Sequence, residues 1–312
     1  MTRFDFLRTL GVFTGSTFLL GTASCKHCPS VSDGIELIRD PDFEHGALLI
    51  DPENPSSFYG TWKWTNLNAP VWKIAQWGTK ERLVPKWESL SLCNEYKAVC
   101  LRLSALKGNS LILSVLGNQE YSGSPREAGT PWVHLLLEQS ILSAPRLIDL
   151  KYIRFHLEAC LLKSLLHKPE LFDPQIHAAQ YFVYFYLQDY NKNSDGYGEM
   201  IWFGIPVYDN RVRMPLRYEA QDFAGSGMFI YTLDQNLLSD KSAHDKKWIT
   251  LEADLLDEMK QAFRSAQKHG YMQKTKRLGD IFITGMNIGW EVPGLLDVSM
   301  EVRNLSLKAS RI

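Results

Sequence analysis

The chain has 312 residues, with 34 lysines and arginines against 35 aspartates and glutamates, a net charge of −1. That balance excludes the strongly basic surface of a dedicated nucleic-acid binder. Hydrophobic residues are 45% and charged residues 22%, which fits a folded protein and excludes disorder or collagen-like repeats.

The first 25 residues have the three parts of a secretory signal. Arg3 and Arg8 give the positive start, positions 10–20 (LGVFTGSTFLL) are apolar, and Gly21, Thr22, Ala23 and Ser24 are small. The apolar run is too short to span a bilayer core, which needs about 20 residues. The ending Thr22-Ala23-Ser24-Cys25 resembles the lipobox of bacterial lipoproteins. That resemblance implies a lipid on Cys25 and a mature protein tethered to a membrane of the bacterial envelope, periplasmic or outer-surface. Residues 2–8 also resemble a twin-arginine export motif, with Phe4 replacing the second arginine, so general secretion is the expected route. Residues 26–34 (KHCPSVSDG) are polar and turn-rich, as in a linker. The expected organisation is a signal peptide over 1–24, a tether over 25–40 and one β-sandwich domain over 41–312.

Cys25 and Cys28 have C-x-x-C spacing, but without a βαβ pattern or a second pair this predicts neither redox nor zinc chemistry. Cys93, Cys100 and Cys160 sit in strand-like runs. They read as buried thiols, or, for Cys93 and Cys100, as a bridge in an oxidising compartment.

Beyond Phe43 the dominant period is two. Segments 111–116, 133–137, 153–162, 181–187, 200–207, 228–233, 281–288 and 298–307 are short, rich in β-branched or aromatic residues and bounded by turn formers. One segment differs. Over 251–269, Leu251, Leu255, Leu256, Met259, Ala262, Phe263 and Ala266 recur at helical spacing, and Gly270 follows as a stop. The fold class expected is all-β, a jelly-roll or lectin-like sandwich with this helix packed at its edge.

The polar faces of several strands are chemically rich. Trp132, His134, Leu136 and Glu138 oppose Val133, Leu135 and Leu137, while Arg154, His156, Glu158 and Cys160 oppose Ile153, Phe155, Leu157 and Leu161. Gln180, Phe182, Tyr184, Tyr186 and Gln188 oppose Tyr181, Val183, Phe185 and Leu187, and Asn287, Gly289 and Glu291 share a face beside Trp290. Rings next to directional hydrogen-bonding groups suit sugars, whose C–H faces stack while their hydroxyls need fixed partners. The ligand-binding set expected is therefore Trp132, His134, Glu138, Arg154, His156, Glu158, Tyr184, Tyr186 and Glu291, with a poly- or oligosaccharide as partner. The alternative is that such layers exist for packing. Trp62, Trp64, Trp72, Trp77 and Trp87 crowd one further stretch, mostly as core anchors.

Asn191, Asn193, Asp195 and Glu199 have the spacing of calcium ligands, with Gly196 inside the loop. The segment resembles the start of an EF-hand loop, though Asn replaces Asp twice and Trp202 stands at position twelve. A hairpin turn is the other reading; no other cofactor is expected.

Turnover has two candidate forms. Glu138 and Glu158 could be the acid–base pair of a glycoside hydrolase, which needs a defined carboxylate separation. Alternatively, Arg154-x-His156-x-Glu158, Gln175-Ile-His177 and the Tyr-rich run 181–188 resemble motifs of jelly-roll alginate lyases. That resemblance implies a polysaccharide lyase. For either enzyme the catalytic candidates on the rich strand faces are His134, Glu138, Glu158 and Tyr186. A structural or assembly lipoprotein without a small ligand is the remaining class.

Overall fold

The structure is a computed structural model that describes residues 34–64, 68–85, 88–141, 143–222 and 225–312. The segment expected to be a signal peptide (1–24), Cys25, Cys28 and Trp87 lie outside the described residues.

Strands are numbered in chain order. One sheet runs β14 (Ile249–Asp254), β9 (Leu150–Leu166), β16 (Leu296–Arg311), β7 (Ser110–Leu116), β6 (Lys97–Arg102), β5 (Ser91–Cys93). β1 (Ile35–Glu36) completes its seven strands against the end of β16. The second, nine-stranded sheet runs β12 (Tyr218–Gln221), β13 (Phe229–Thr232), β11 (Met200–Asp209), β10 (Gln180–Asp189), β15 (Ile281–Val292), β8 (Val133–Ser140), β4 (Trp72–Ala75), β2 (Ala47–Ile50), β3 (Phe58–Trp62). Pairing is antiparallel except for β11 with β13 and β2 with β4. This is the all-β sandwich expected from the period-two alternation.

The core follows from that alternation. Phe155, Leu157 and Leu161 of β9 and Val298, Met300 and Val302 of β16 meet Val183, Phe185 and Leu187 of β10 and Ile288 of β15 between the sheets. Each such side chain contributes about 1.5–3 kcal/mol through burial. Trp62, Trp72 and Trp290 are fully buried core residues. The other face of each sheet points outward, so the chemically rich residues fall on two outer surfaces.

The helix predicted over 251–269 is shorter. α2 spans Leu256–Lys268, after a single turn α1 at Gly117–Glu120. Residues 251–254 belong to β14, because Ile249 and Leu251 alternate inward while Thr250 and Glu252 point out, and all pair with β9. Gly270, at φ +86°, ends α2: its N–H donates to Gln267, and the Tyr271 N–H donates to Ala266, a glycine C-cap of the Schellman type. Leu256, Met259, Ala262, Phe263 and Ala266 plug the side of the sandwich between β9 and β11.

The tether boundary at residue 40 also needs correction. β1 pairs with β16, and Leu37 and Ile38 are core residues. The sandwich therefore begins by residue 35; the polar start of the segment hides two apolar residues that complete the core edge.

Candidate binding cleft

The outer face of the nine-stranded sheet carries a cleft of about 930 Å³. Strand register builds it in rows. One row crosses six strands as Lys73, Glu138, Asn287, Tyr184, Gly204 and Thr232. A second, toward the start of β8, reads His134, Glu291, Gln180 and Asp209. The alternation that sends Val183 and Leu137 into the core aims these residues outward.

Aromatic rings pack the floor. Phe182 and Tyr184 stack with centroids 5.4 Å apart, and Trp202 meets Tyr184 edge-on at 5.9 Å and Tyr186 at 4.9 Å. Two glycines let the tyrosine rings lie flat. A Cβ at Gly204 would fall 2.7 Å from the Tyr184 ring, and one at Gly285 would fall 2.7 Å from the Tyr186 ring. The Trp202 indole N–H donates to Ser226 Oγ at 2.8 Å, and that hydroxyl donates to Asp222 at 2.8 Å. The floor is mostly covered, with Tyr184 8% and Trp202 2% exposed. Trp77 and Trp132, both partly exposed, are the more open rings lining the cleft.

The polar groups are held in fixed directions. His134 Nδ1 lies 2.9 Å from the Trp132 carbonyl, which can only accept, so the proton sits on Nδ1. His134 Nε2 faces Glu291 at 3.8 Å. Asp209 accepts from Gln180 at 2.7 Å and forms a two-oxygen ion pair with Arg211. Burial pulls the Lys73 ammonium below its ordinary pKa, and the Glu138 carboxylate opposes that shift. Asn287, 1% exposed, donates to the Tyr186 hydroxyl at 3.3 Å. Its Oδ1 is buried and accepts no hydrogen bond among the described residues.

Of the residues predicted to bind ligand, Trp132, His134, Glu138, Tyr184 and Glu291 line this cleft. Tyr186 lies beneath it, 3% exposed, supporting Trp202 and Asn287. Arg154, His156 and Glu158 do not join them. They sit on β9, in the seven-stranded sheet, on the opposite outer face of the sandwich. There Arg303 and Asn304 hold Glu158, keeping its carboxyl below the ordinary pKa against the effect of burial. His156 faces Glu252 at 3.5 Å and, with Arg154, lines a separate groove of about 630 Å³. Glu138 and Glu158 are thus no acid–base pair, since two sheets stand between them. The Gln175–His177 motif does reach the cleft, but His177 is tied by Asp173 N–H and the Arg126 carbonyl.

The segment predicted as a calcium loop is the turn between β10 and β11. Asn191 donates to Asp280 and accepts from Asn193 N–H, while Glu199 accepts from the N–H and hydroxyl of Thr275. The side-chain oxygens of Asn191 and Glu199 are thus engaged by protein donors, while Asn193 and Asp195 are exposed. Among the described residues no group of three or more His, Cys, Asp or Glu could hold a metal ion. Cys93, Cys100 and Cys160 are free thiols.

Sequence reasoning missed Arg126, Trp202 and Arg211. Arg126 and Arg211 lie off the strands, where no period marks them. Trp202 sits in β11, which is apolar on both faces and so shows no contrast.

No family model matches the chain, and no curated protein sequence matches it. Among solved structures, it is similar to a thermostable cellulase derived from Cel12A of Rhodothermus marinus (TM-score 0.40, 12% identity, 77% of this chain, 100% of that one). It is also similar to the family 11 xylanase from Neocallimastix patriciarum (0.38, 10%, 76%, 100%). A third is the family 12 xyloglucanase from Bacillus licheniformis (0.39, 7%, 76%, 100%).

Proposed function

We propose that the protein is an exported, lipid-anchored envelope protein that binds a glycan in the cleft of the nine-stranded sheet. The observation that carries the reading is the cleft's composition: rings at its wall and floor beside a row of buried directional groups. Asn287 is central. Its carbonyl oxygen has no protein donor at a position lining the cleft, and a buried acceptor left unmade costs about 1–3 kcal/mol. A sugar hydroxyl supplies the donor.

The test is a glycan array followed by titration calorimetry. Trp132→Ala is expected to weaken affinity about tenfold, through roughly 0.5–1.5 kcal/mol of lost ring contact plus buried area. Tyr184→Ala should do less, because its ring is mostly covered. An array with no bound glycan hands the rings to packing alone and ends the reading.

A second reading is turnover at the same face, favoured by Glu138 and Glu291 sharing it with His134 between β8 and β15. Their Cα atoms stand four residues apart in register, about 13 Å along the strands. Hydrolase carboxyl groups lie about 5–9.5 Å apart, so both side chains would have to lean together. Binding is therefore the primary reading. Glu138→Gln should leave affinity nearly intact in a binder and abolish product formation in an enzyme.

The export reading rests on residues 1–25, whose end resembles a lipobox. Cys25→Ala is expected to abolish incorporation of labelled fatty acid and release the protein from membranes. A wild-type protein that takes up no label removes the anchor from the proposal.

A further inference from the structure

Burying a cation without a counter-charge is costly: the effective penalty is several kcal/mol per ion unless a partner is supplied. The charged groups of the cleft mostly meet this demand locally. Arg211 is paired with Asp209, and Lys73 stands in register with Glu138. Arg126 is the exception. It lines the cleft and is 7% exposed.

Its guanidinium is held rather than neutralised. Nε donates to the Thr130 carbonyl at 3.0 Å and Nη1 to the Ile176 carbonyl at 2.9 Å. The group lies 5.5 Å from the Trp132 ring centroid, a cation–π distance. Its carbonyl accepts from His177 Nε2 at 2.9 Å, which fixes the backbone as well. Two of five N–H donors are used, and among the described residues no carboxylate pairs with it. Burial lowers its pKa, and Tyr121 is the titratable group that opposes this. A guanidinium so oriented presents unused N–H groups in the plane that suits a carboxylate.

Building on the glycan reading above, we propose that the cleft takes an acidic glycan, with the carboxylate of a uronic-acid unit received by Arg126 beside Trp132. The other charged groups support this placement. Asp222 lies by Trp202 and Ser226, at the β12–β13 side of the sheet, and Asp209 is neutralised by Arg211. Glu291 belongs to the His134 row, and it faces His134. The Arg126 end is thus the part of the cleft where an added negative charge gains most. Asn287, in the Glu138 row, is left for a hydroxyl.

The experiment uses purified full-length protein and hexameric oligouronides of galacturonate, mannuronate, guluronate and glucuronate. Each is compared by calorimetry with its carboxyl-reduced neutral counterpart and with a sulfated neutral galactan oligosaccharide. At least one oligouronide is expected to bind ten times or more tighter than its reduced form, and to weaken as sodium chloride is raised. Arg126→Gln should level the two, while Arg126→Lys should keep part of the difference because it retains the charge without the planar fork. Equal binding of acid and reduced forms overturns this proposal and leaves the glycan reading standing. Preference for the sulfated chain over every uronide also overturns it, moving the site to sulfate esters. Absence of binding to every one of these ligands overturns this proposal, and the glycan array then decides the glycan reading separately. If Arg126→Gln fails to fold, the acid-against-reduced comparison on the wild type decides alone.

Discussion

Glu120→Ala is expected to destabilise the protein by about 3–5 kcal/mol, the loss typical of removing one partner from a buried ion pair. Glu120 ends the single turn α1, and its carboxylate lies 2.8 Å from the Lys97 ammonium, with both side chains fully excluded from solvent. The same carboxylate accepts from the Thr79 hydroxyl at 2.7 Å and from Lys80 N–H at 2.9 Å. Lys97 in turn donates to the Glu81 carbonyl at 2.6 Å. One residue therefore pins β6, α1 and the 79–81 loop, which leads out of β4 past the cleft wall at Trp77 and Gly78. Burial already pulls Lys97 below its ordinary pKa, and Glu120 is the main group opposing that shift. Without Glu120 the lysine must lose its proton or stay charged and unpaired. Urea titration followed by circular dichroism reads the loss; a shift under 1 kcal/mol would show that the pair contributes little. Glu120→Gln keeps an acceptor for Lys80 but removes the charge, and should fall between wild type and alanine.

Trp290→Ala should cost a similar amount, about 3–5 kcal/mol, for a different reason. Trp290 belongs to β15 in the nine-stranded sheet, and its indole N–H reaches the Leu113 carbonyl of β7 in the other sheet at 2.8 Å. Its ring meets Tyr181 edge-on at 5.0 Å and Tyr208 at 5.8 Å. The substitution leaves a large cavity at the contact between sheets and removes a hydrogen bond across it. Trp290→Phe restores most of the volume but not the donor, so it should lose less, mainly the roughly 1 kcal/mol of the hydrogen bond plus the remaining void. Thermal melts of the two variants separate the terms. Equal losses would mean that the hydrogen bond, not the packing, dominates.

Particular residues show how far the sequence could be read. Tyr184, Glu138 and Glu291 were assigned to outward faces because a period of two leaves each residue only two sides to occupy, and their neighbours are plainly apolar. The same logic placed Glu158 and His156 outward, and they do point outward. What alternation lacks is any sign of which sheet a strand joins, so β8, β9 and β10 looked alike. The strand ends were also underestimated. β9 and β16 run 17 and 16 residues because bulges, such as the one around Asn304 at φ +52°, shift the alternation without ending the pairing. The Asn191–Glu199 spacing fits a turn and an ion site equally well, and the hydrogen-bond partners that hold its side chains, Thr275 as donor and Asp280 as acceptor, lie 75 or more residues away.

By itself the sequence determined the all-β class, the alternation of each strand and the stop of the helix at Gly270. These depend on neighbours within a few residues, where steric and solvation preferences act directly on the local chain. Only the tertiary structure decided that β8, β10 and β15 lie side by side while β9 faces away, that Glu138 stands beside Asn287, and that Arg126 is buried without a carboxylate partner among the described residues. Those facts depend on sheet order and register over separations of 50 residues and more. Local period is blind to them, because hydrogen-bonding groups of the backbone are the same in every strand and the long-range partner is chosen by the packing of the whole core.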